Sequence, residues 1–555
     1  NHARAAAENM AHTLHRTAHS AFVKETQDFT VMLMDRAGDT FAVPMELGAT
    51  WYPGLTYGRA IEMVEDYRPG DVAFTNDPYS GHVATHAPDT HLWKPVFADG
   101  EIVAWTGGHI HNTDMGGAVP ASLSRSLTEI HQEGIRFPPM KLVREGVFDE
   151  QILRIMETNV RKPALNIGDI KALVGALNTG ERKVQTMVRT FGIDRFRKGI
   201  MAIQDYAERQ ARDLLRAMPD GTWQFADYAD EDSDHANPCR LNLTLTIKGE
   251  ELTVDLTGSS GPVPGSVNCG VKQTESLLRL AYKTMINPER AITGGSFETM
   301  TVVVPDSCMF NAGEPAACEW YFTGLGLLAD LFISCMSEAL PEHSTAAHYG
   351  DSMVAGFFSV DQTRGQWIAL EPTAGGWGGR IDSDGESALI NLVNGGFRNI
   401  PAEVYETKFP VRLEEFAIRP DSGGAGQFRG GCGVIRRYKA LEDCYSALWF
   451  ERSKTPAWGL NGGGDGAGPW IEITRPDGST EHPLKMRASE IKAGIVIETM
   501  TGGGGGNGNP KARAFEDVKR DVVRGLVSHD AAREHYGVVV TEALEVDEAA
   551  SEARA

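Results

Sequence analysis

Cysteine is scarce in this chain: seven residues in 555, with no C-x-x-C pair among them. That excludes a disulfide framework and a cysteine-only zinc site, and it suits a reducing compartment. Long apolar runs are missing as well. No stretch reaches about 18 consecutive apolar residues, and the opening NHARAAAENMAHTLHRTAHSAF lacks the apolar middle of a secretory signal. Membrane insertion is therefore not expected, and the expected location is the cytoplasm. Positive charge is in deficit, with 53 Lys and Arg against 75 Asp and Glu and a net charge of −22. Such a surface repels phosphodiester backbones, so a nucleic-acid partner is not expected either. There is no G-x-x-x-x-G-K-[ST], and no G-x-S-x-G elbow. The first absence removes a P-loop nucleotide site, and the second removes the familiar serine-nucleophile motif.

Glycine, by contrast, is abundant at 61 residues, gathered in runs such as SGGAGQFRGGCG, GLNGGGDGAGPW and MTGGGGGNGNP. These read as turns between strands. Helical spacing marks residues 1–20 and most of 150–217; Phe29–Met34 and Ile102–Trp105 read as strands. A hairpin is expected around Lys248-Gly249-Glu250. Residues 273–290 and 323–341 read as buried helices, and one amphipathic helix is expected from Phe515 to about Tyr536, ahead of an unstructured acidic tail. The resulting class is α+β and multi-domain: an N-terminal metal-bearing α/β block and helical segment, then β-rich domains with buried helices. The expected divisions are 1–218, 219–408, 409–512 and 513–555.

Histidine carries the chemistry. Of the 16 in the chain, six (His82, His86, His91, His109, His111, His131) fall between residues 82 and 131. The segment T-H-A-P-D sets His86 three residues before Asp89, and Pro88 keeps the segment extended or turned. G-H-I-H-N-T-D-M-G-G follows, with His109, His111 and Asp114. Imidazoles with a carboxylate suit a divalent cation with open coordination positions. On a strand, His109 and His111 share a face, so His109 is a supporting or substrate-contact candidate. His82, His91 and His131 read as ordinary polar residues, as do Glu129 and, by position alone, Glu133.

These segments also resemble a known family. N-D-P-Y-S-G from Asn76, T-H-A-P-D ending at Asp89, K-P-V-F from Lys94, G-H-I-H-N-T-D-M-G-G ending at Gly117 and Q-E-G-I-R-F-P-P from Gln132 are similar to the hydantoinase B/oxoprolinase family. So are K-E-T-Q-D-F from Lys24, N-V-R-K-P from Asn159, D-L-T-G from Asp255, N-C-G from Asn268, R-P-D-S-G-G-A-G-Q-F-R-G-G from Arg419 and the glycine loop from Thr501. The likeness spans nearly the whole chain. One departure lies in that loop, where Asn507 and Asn509 stand in place of an aromatic and an acidic residue common in the family.

The resemblance implies a B-type subunit of an ATP-dependent amidohydrolase that opens hydantoin, 5-oxoproline or lactam rings. A hydantoinase A-type partner binds ATP and phosphorylates the small-molecule substrate. It further implies one divalent ion (zinc, manganese or iron) on His86, Asp89 and His111, with Asp28 as a fourth ligand. An ion there activates water toward the phosphorylated carbon, and Asp114 or Glu133 takes the proton. The alternatives are a subunit of an ATP-dependent ketone carboxylase of the acetone or acetophenone type, and a non-catalytic scaffold for the ATPase.

Overall fold

The computed structural model describes residues 1–48, 54–230, 237–288, 292–361 and 365–552. Its first block is a seven-stranded sheet in the order β2-β1-β5-β4-β3-β6-β7. The strands are β1 (Phe29–Met34), β2 (Thr40–Ala42), β3 (Val72–Thr75), β4 (Asp89–Ala98), β5 (Glu101–His111), β6 (Met140–Arg144) and β7 (Val147–Phe148). Neighbours run antiparallel throughout. Alternation along the strands divides the apolar residues between two cores. Val31, Leu33, Leu92 and Ile110 pack on α1 (His2–Thr17) and α5 (Pro163–Phe191). Met32, Met34, Trp93 and Trp105 join the opposite core, which extends into the second block.

The short helices α2 (Ala21–Lys24) and α3 (Gly58–Glu62) decorate the sheet, and α4 (Glu150–Asn159) leads into the expected helical stretch of α5 and α6 (Ile193–Arg216). The second block has strands β8 (Gly221–Ala229), β9 (Cys239–Lys248), β10 (Glu251–Asp255) and β11 (Met300–Val303), in the order β11-β10-β9-β8. The hairpin turns at Lys248–Glu251, as its sequence predicts. Two helices, α7 (Val271–Ile286) and α8 (Tyr321–Ala339), fill its core; residues 289 and 290, expected at the end of α7, lie outside the described residues. Among the described residues α8 alone is long and apolar enough to cross a membrane, yet it is 94% buried inside the protein. Each Leu or Phe sealed there contributes roughly 1.5–3 kcal/mol.

The third block holds two sheets. One, in the order β13-β12-β16-β19, joins β12 (Ala355–Ser359) and β13 (Trp367–Glu371) to β16 (Cys444–Trp449) and β19 (Lys485–Ile491). The other contains β14 (Val411–Ile418), β15 (Val434–Ala440), β17 (Trp470–Thr474), β18 (Thr480–Glu481) and β20 (Val496–Met500). A division at 408/409 is therefore wrong as a domain boundary. It cuts a sheet whose strands come from both sides, a long-range pairing that local composition does not report. The blocks are locked where Arg125 of the first meets Glu451 of the third at 2.7 Å, both buried, with Lys485 at 3.7 Å and Asp230 of the second block alongside.

The glycine runs are not simple turns. Along 503–508, Gly503 and Gly506 donate to Ala467 and Gly464, and Gly504 and Asn507 donate to Gly431 and Phe428. Gly505 donates to Ala347, and Gly508 to Leu460. Residues 503 and 506, and residues 504 and 507, thus return to the same neighbouring segment three positions apart, the signature of an extended helix with about three residues per turn. Segments near 345–348, 375–379, 422–433 and 457–467 surround it. Backbone meets backbone so closely that a Cβ on Gly504 would lie 2.1 Å from the Trp377 carbonyl oxygen. Asn507 closes the bundle, its side chain bonded to Ser344, Gly379 and Asn461.

Toward the C-terminus the single expected helix is two, α9 (Phe515–Val523) and α10 (His529–Tyr536). Gly525 at φ 68° turns the chain, and the Ser528 side chain caps the second helix. The tail is also more ordered than its charge suggests. Val540 bridges Val546, and Ser551 accepts from Val539; residues 553–555 lie outside the described residues.

Close backbone packing makes a clear prediction. Gly504→Ala should lower unfolding free energy by about 3 kcal/mol or prevent folding. Gly313→Ala, where an added Cβ meets nothing within 4 Å, should change it by less than about 0.5 kcal/mol. Equal urea midpoints for the two variants would contradict the bundle.

Candidate metal centre

The pleat brings the site together. Asp89 opens β4, His111 closes β5, and the two are direct partners across the ladder. His91 pairs with His109 two positions further on, so all four side chains stand on one face. Asp28, just before β1, accepts the His111 amide at its backbone oxygen. His86 comes from the loop ahead of β4, where the His86 carbonyl accepts from the Asp89 amide and closes a tight turn. The Thr85 hydroxyl donates to Asp89 Oδ2.

His86, Asp89 and His111 each offer a ligand atom, and these atoms lie within 4.8 Å of one another. Their relative exposures are 2%, 1% and 6%, so no bulk water substitutes for a missing partner. His86 Nε2 stands 3.4 Å from Asp89 Oδ2, long for a charge-assisted hydrogen bond. His86 Nδ1 is 2.9 Å from the Glu319 carbonyl oxygen. That bond places the proton on Nδ1 and leaves the Nε2 lone pair facing the cluster. His111 Nδ1 is buried without a hydrogen-bond partner among the described residues. Two imidazoles and a carboxylate thus converge, and the donor set fits a divalent cation.

Electrostatics agree with this geometry. Burial opposes charge on His86, but Asp89, followed by Glu133, outweighs it and raises the imidazole. Burial likewise acts to raise Asp89, yet His86, His109 and His111 together hold it well below the usual carboxylate range. Burial lowers His111, with Asp28 and Asp89 offsetting part of the effect.

The remaining predicted residues fall in different places. Asp28 is near but outside the tight trio: its Oδ1 lies 3.8 Å from His109 Nε2. His109 sits between two carboxylates, with Asp89 Oδ1 also at 3.8 Å. Asp114 is not available to take a proton or bind an ion. Its oxygens accept from the amides of Gly116 (2.9 Å), Ala121 (3.0 Å) and Arg161 (2.9 Å), and from Arg161 Nη1 (2.9 Å). Four charge-assisted bonds make it the fastener of the 113–122 loop. Glu133 is fully buried rather than a solvated loop residue. It accepts from the amides of Cys318 (2.6 Å) and Ala87 (3.4 Å), stapling the His86 loop to the approach of α8. Burial, partly offset by His86, pushes its carboxyl up to about 7. Glu129 is exposed and caps a short turn.

Sequence reasoning missed Glu319, which lies in A-C-E-W, more than two hundred residues from His86. Its carboxylate accepts from the Ser124 amide at 2.8 Å, and burial, then Glu133, raise it well above the usual range. It carries no motif, and only tertiary packing brings it here. His91 was also undervalued: its Nδ1 is 2.7 Å from the Tyr57 hydroxyl, and its ring stacks on His109 at 5.2 Å. His82 and His131 stay outside the cluster.

Antiparallel ladder, buried cluster and glycine bundle together describe one kind of protein, and comparison with known proteins names the kind. Residues 1–510 match the hydantoinase B/oxoprolinase family, and the chain belongs to it. A curated relative is the caprolactamase subunit beta of Pseudomonas jessenii, 30% identical, with 99% of this chain and 96% of that protein covered. The crystal structure of the ATP-dependent caprolactamase from Pseudomonas jessenii superposes with a TM-score of 0.90 at 28% identity, covering 99% of this chain and 96% of that one. A nucleotide-free acetone carboxylase structure gives a TM-score of 0.91 at 20% identity, covering 100% of this chain and 81% of that one, which shows a shared fold.

If Asp114 fastens the loop, Asp114→Ala strands a half-buried guanidinium and buried amides and should cost roughly 3 kcal/mol of stability. Denaturant titration checks this; a loss under about 1 kcal/mol would assign Asp114 a role other than structure.

Proposed function

We propose that this chain is the metal-holding, B-type subunit of an ATP-dependent cyclic amide hydrolase. In this reading it acts on a hydantoin, 5-oxoproline or lactam whose carbonyl oxygen an A-type ATPase partner has phosphorylated. The observation that carries the reading is the buried convergence of His86, Asp89 and His111 within 4.8 Å, on a chain that shares family and near-complete coverage with an ATP-dependent caprolactamase.

An amide resists water because resonance makes its carbon a poor electrophile and its nitrogen a poor leaving group. Phosphorylating the oxygen removes that resonance, so this chain needs only to position the activated carbon and manage protons. His86, Asp89 and His111 would hold the divalent ion, which supplies Lewis acidity when bound. The Glu319 carbonyl and carboxylate hold His86 in the ligating tautomer. His109 lies between Asp28 and Asp89 and keeps both carboxylates turned to the cluster. Glu133, with its carboxyl near 7, is the group in this reading that takes or gives the proton. Asp28 is the candidate that completes the ligand set from the β1 side.

A carboxylase reading draws on the same fold, which the acetone carboxylase shares. The family match and the closer identity to the lactam-opening relative favour the hydrolase.

The test is His86→Ala in a complex reconstituted with the A-type partner and assayed on lactams and hydantoins with ATP. Expected is loss of bound metal and a fall of about 100-fold or more in ring opening. A variant that keeps both metal and turnover would end the proposal, as would carboxylation of ketones in place of ring opening by the unaltered complex.

A further inference from the structure

Charge is spread unevenly along this acidic chain. Between residues 182 and 204, where α5 ends and α6 begins, six Lys and Arg accompany a single carboxylate, Asp194, although the whole chain carries a net charge of −22. Arg197 pairs with Glu101. Arg182 and Arg189 reach the hydroxyls of Thr179 and Thr186 on their own helix. Lys183, Arg195 and Lys198 enter no ion pair among the described residues.

This excess of positive charge adjoins an apolar groove of about 440 Å³. The groove lies between the first turn of α1, the last turns of α5 and the first half of α6. Met187, Phe191, Phe196 and Ile203 line it together with Arg195 and Lys198. Phe191 and Ile203 are each 38% exposed, and Tyr206, one turn beyond Ile203, is 50% exposed. Apolar side chains left in water as a group, with charge of one sign beside them, mark an association surface.

The charge decides what can cover it. In a twofold dimer of this chain the patch would meet its own copy and set Arg195 and Lys198 against like charge. A polyanion would pair with the cations and leave Phe191, Ile203 and Tyr206 in water. What satisfies both features is a protein segment of different sequence, with apolar side chains for the groove and carboxylates for Arg195 and Lys198.

We infer that the groove between α1, α5 and α6 is the docking surface for an acidic, apolar-faced segment of the A-type ATPase partner. The identity of that partner rests on the proposed hydrolase reading; the form and charge of the surface do not.

Sedimentation of the full chain mixed with the A-type partner tests it. Expected is a complex with the unaltered chain that Ile203→Asp, and separately Lys198→Glu, weakens about tenfold or more. Lys198→Arg should bind as the unaltered chain does. Added salt should weaken the unaltered complex more steeply than the Lys198→Glu complex. Val147→Asp is the control: Val147 is 71% exposed on β7, at the opposite edge of the seven-stranded sheet from β2, the strand that α6 contacts. It should leave binding unchanged. Urea midpoints separate a lost contact from a lost fold, and Lys198→Glu, on an exposed polar side chain, carries the test where Ile203→Asp shifts its midpoint.

Affinity untouched by Lys198→Glu, or reduced as much by Val147→Asp, would overturn the inference. So would self-association of the chain alone that the same substitutions abolish, since that makes a second copy the occupant. The hydrolase reading fails separately. A complex weakened as expected that opens no ring supports the surface and removes that reading, whereas ring opening by a complex indifferent to both substitutions does the reverse. No complex with the unaltered chain would overturn both.

Discussion

The register of β4 against β5 is the constraint on which the rest depends. Asp89 faces His111 across that ladder, and a slip of one residue would turn Asp89, His91 or their partners to the opposite face. Close approach of β1 pins the arrangement. A Cβ on Gly108 would lie 2.5 Å from the Thr30 carbonyl oxygen, so only glycine lets β1 lie so near β5 and bring Asp28 alongside. The glycine between the paired histidines and the sheet interior is thus a positional element of the site, although it touches no ligand.

Burial of the cluster has a cost that the neighbouring loops share. Imidazoles and carboxylates removed from water must be paired or hydrogen-bonded. The structure meets this from a distance: Glu319 from the approach to α8, Glu133 from the segment before β6, and Tyr57 from the loop before α3. Glu319 anchors the His86 ring and Tyr57 the His91 ring, while Glu133 holds the backbone of the His86 loop through the Ala87 amide. The second block is therefore part of the site, because without α8 and its preceding loop His86 loses both its tautomer and its support.

Much of this was legible in the sequence. Period-two spacing put His109 and His111 on one face, T-H-A-P-D marked the turn that carries His86 and Asp89, and the family likeness selected His86, Asp89 and His111 as a group, which the structure brings within 4.8 Å. What stayed hidden has a common cause. Glu319 reaches the site by packing across blocks, which no local pattern records. Asp114 and Glu133 look alike as acids near the motif, and only their burial and backbone partners separate a loop fastener from an inter-loop staple. The glycine runs carry the composition of turns, yet most of their members lack positive φ; their purpose is close approach, visible only when the neighbouring segments are in place. Likewise, the division at 408/409 followed a change in composition that the sheet pairing ignores.

The central claim is that two imidazoles and one carboxylate form a single cation site. X-ray absorption on the purified full chain at the edge of its bound metal reads that ligand set directly. The account predicts nitrogen and oxygen neighbours at about 2.0–2.2 Å with the outer-shell pattern of two imidazoles, reduced to one in His111→Ala. A spectrum with sulfur neighbours, or with oxygen neighbours only, would contradict it.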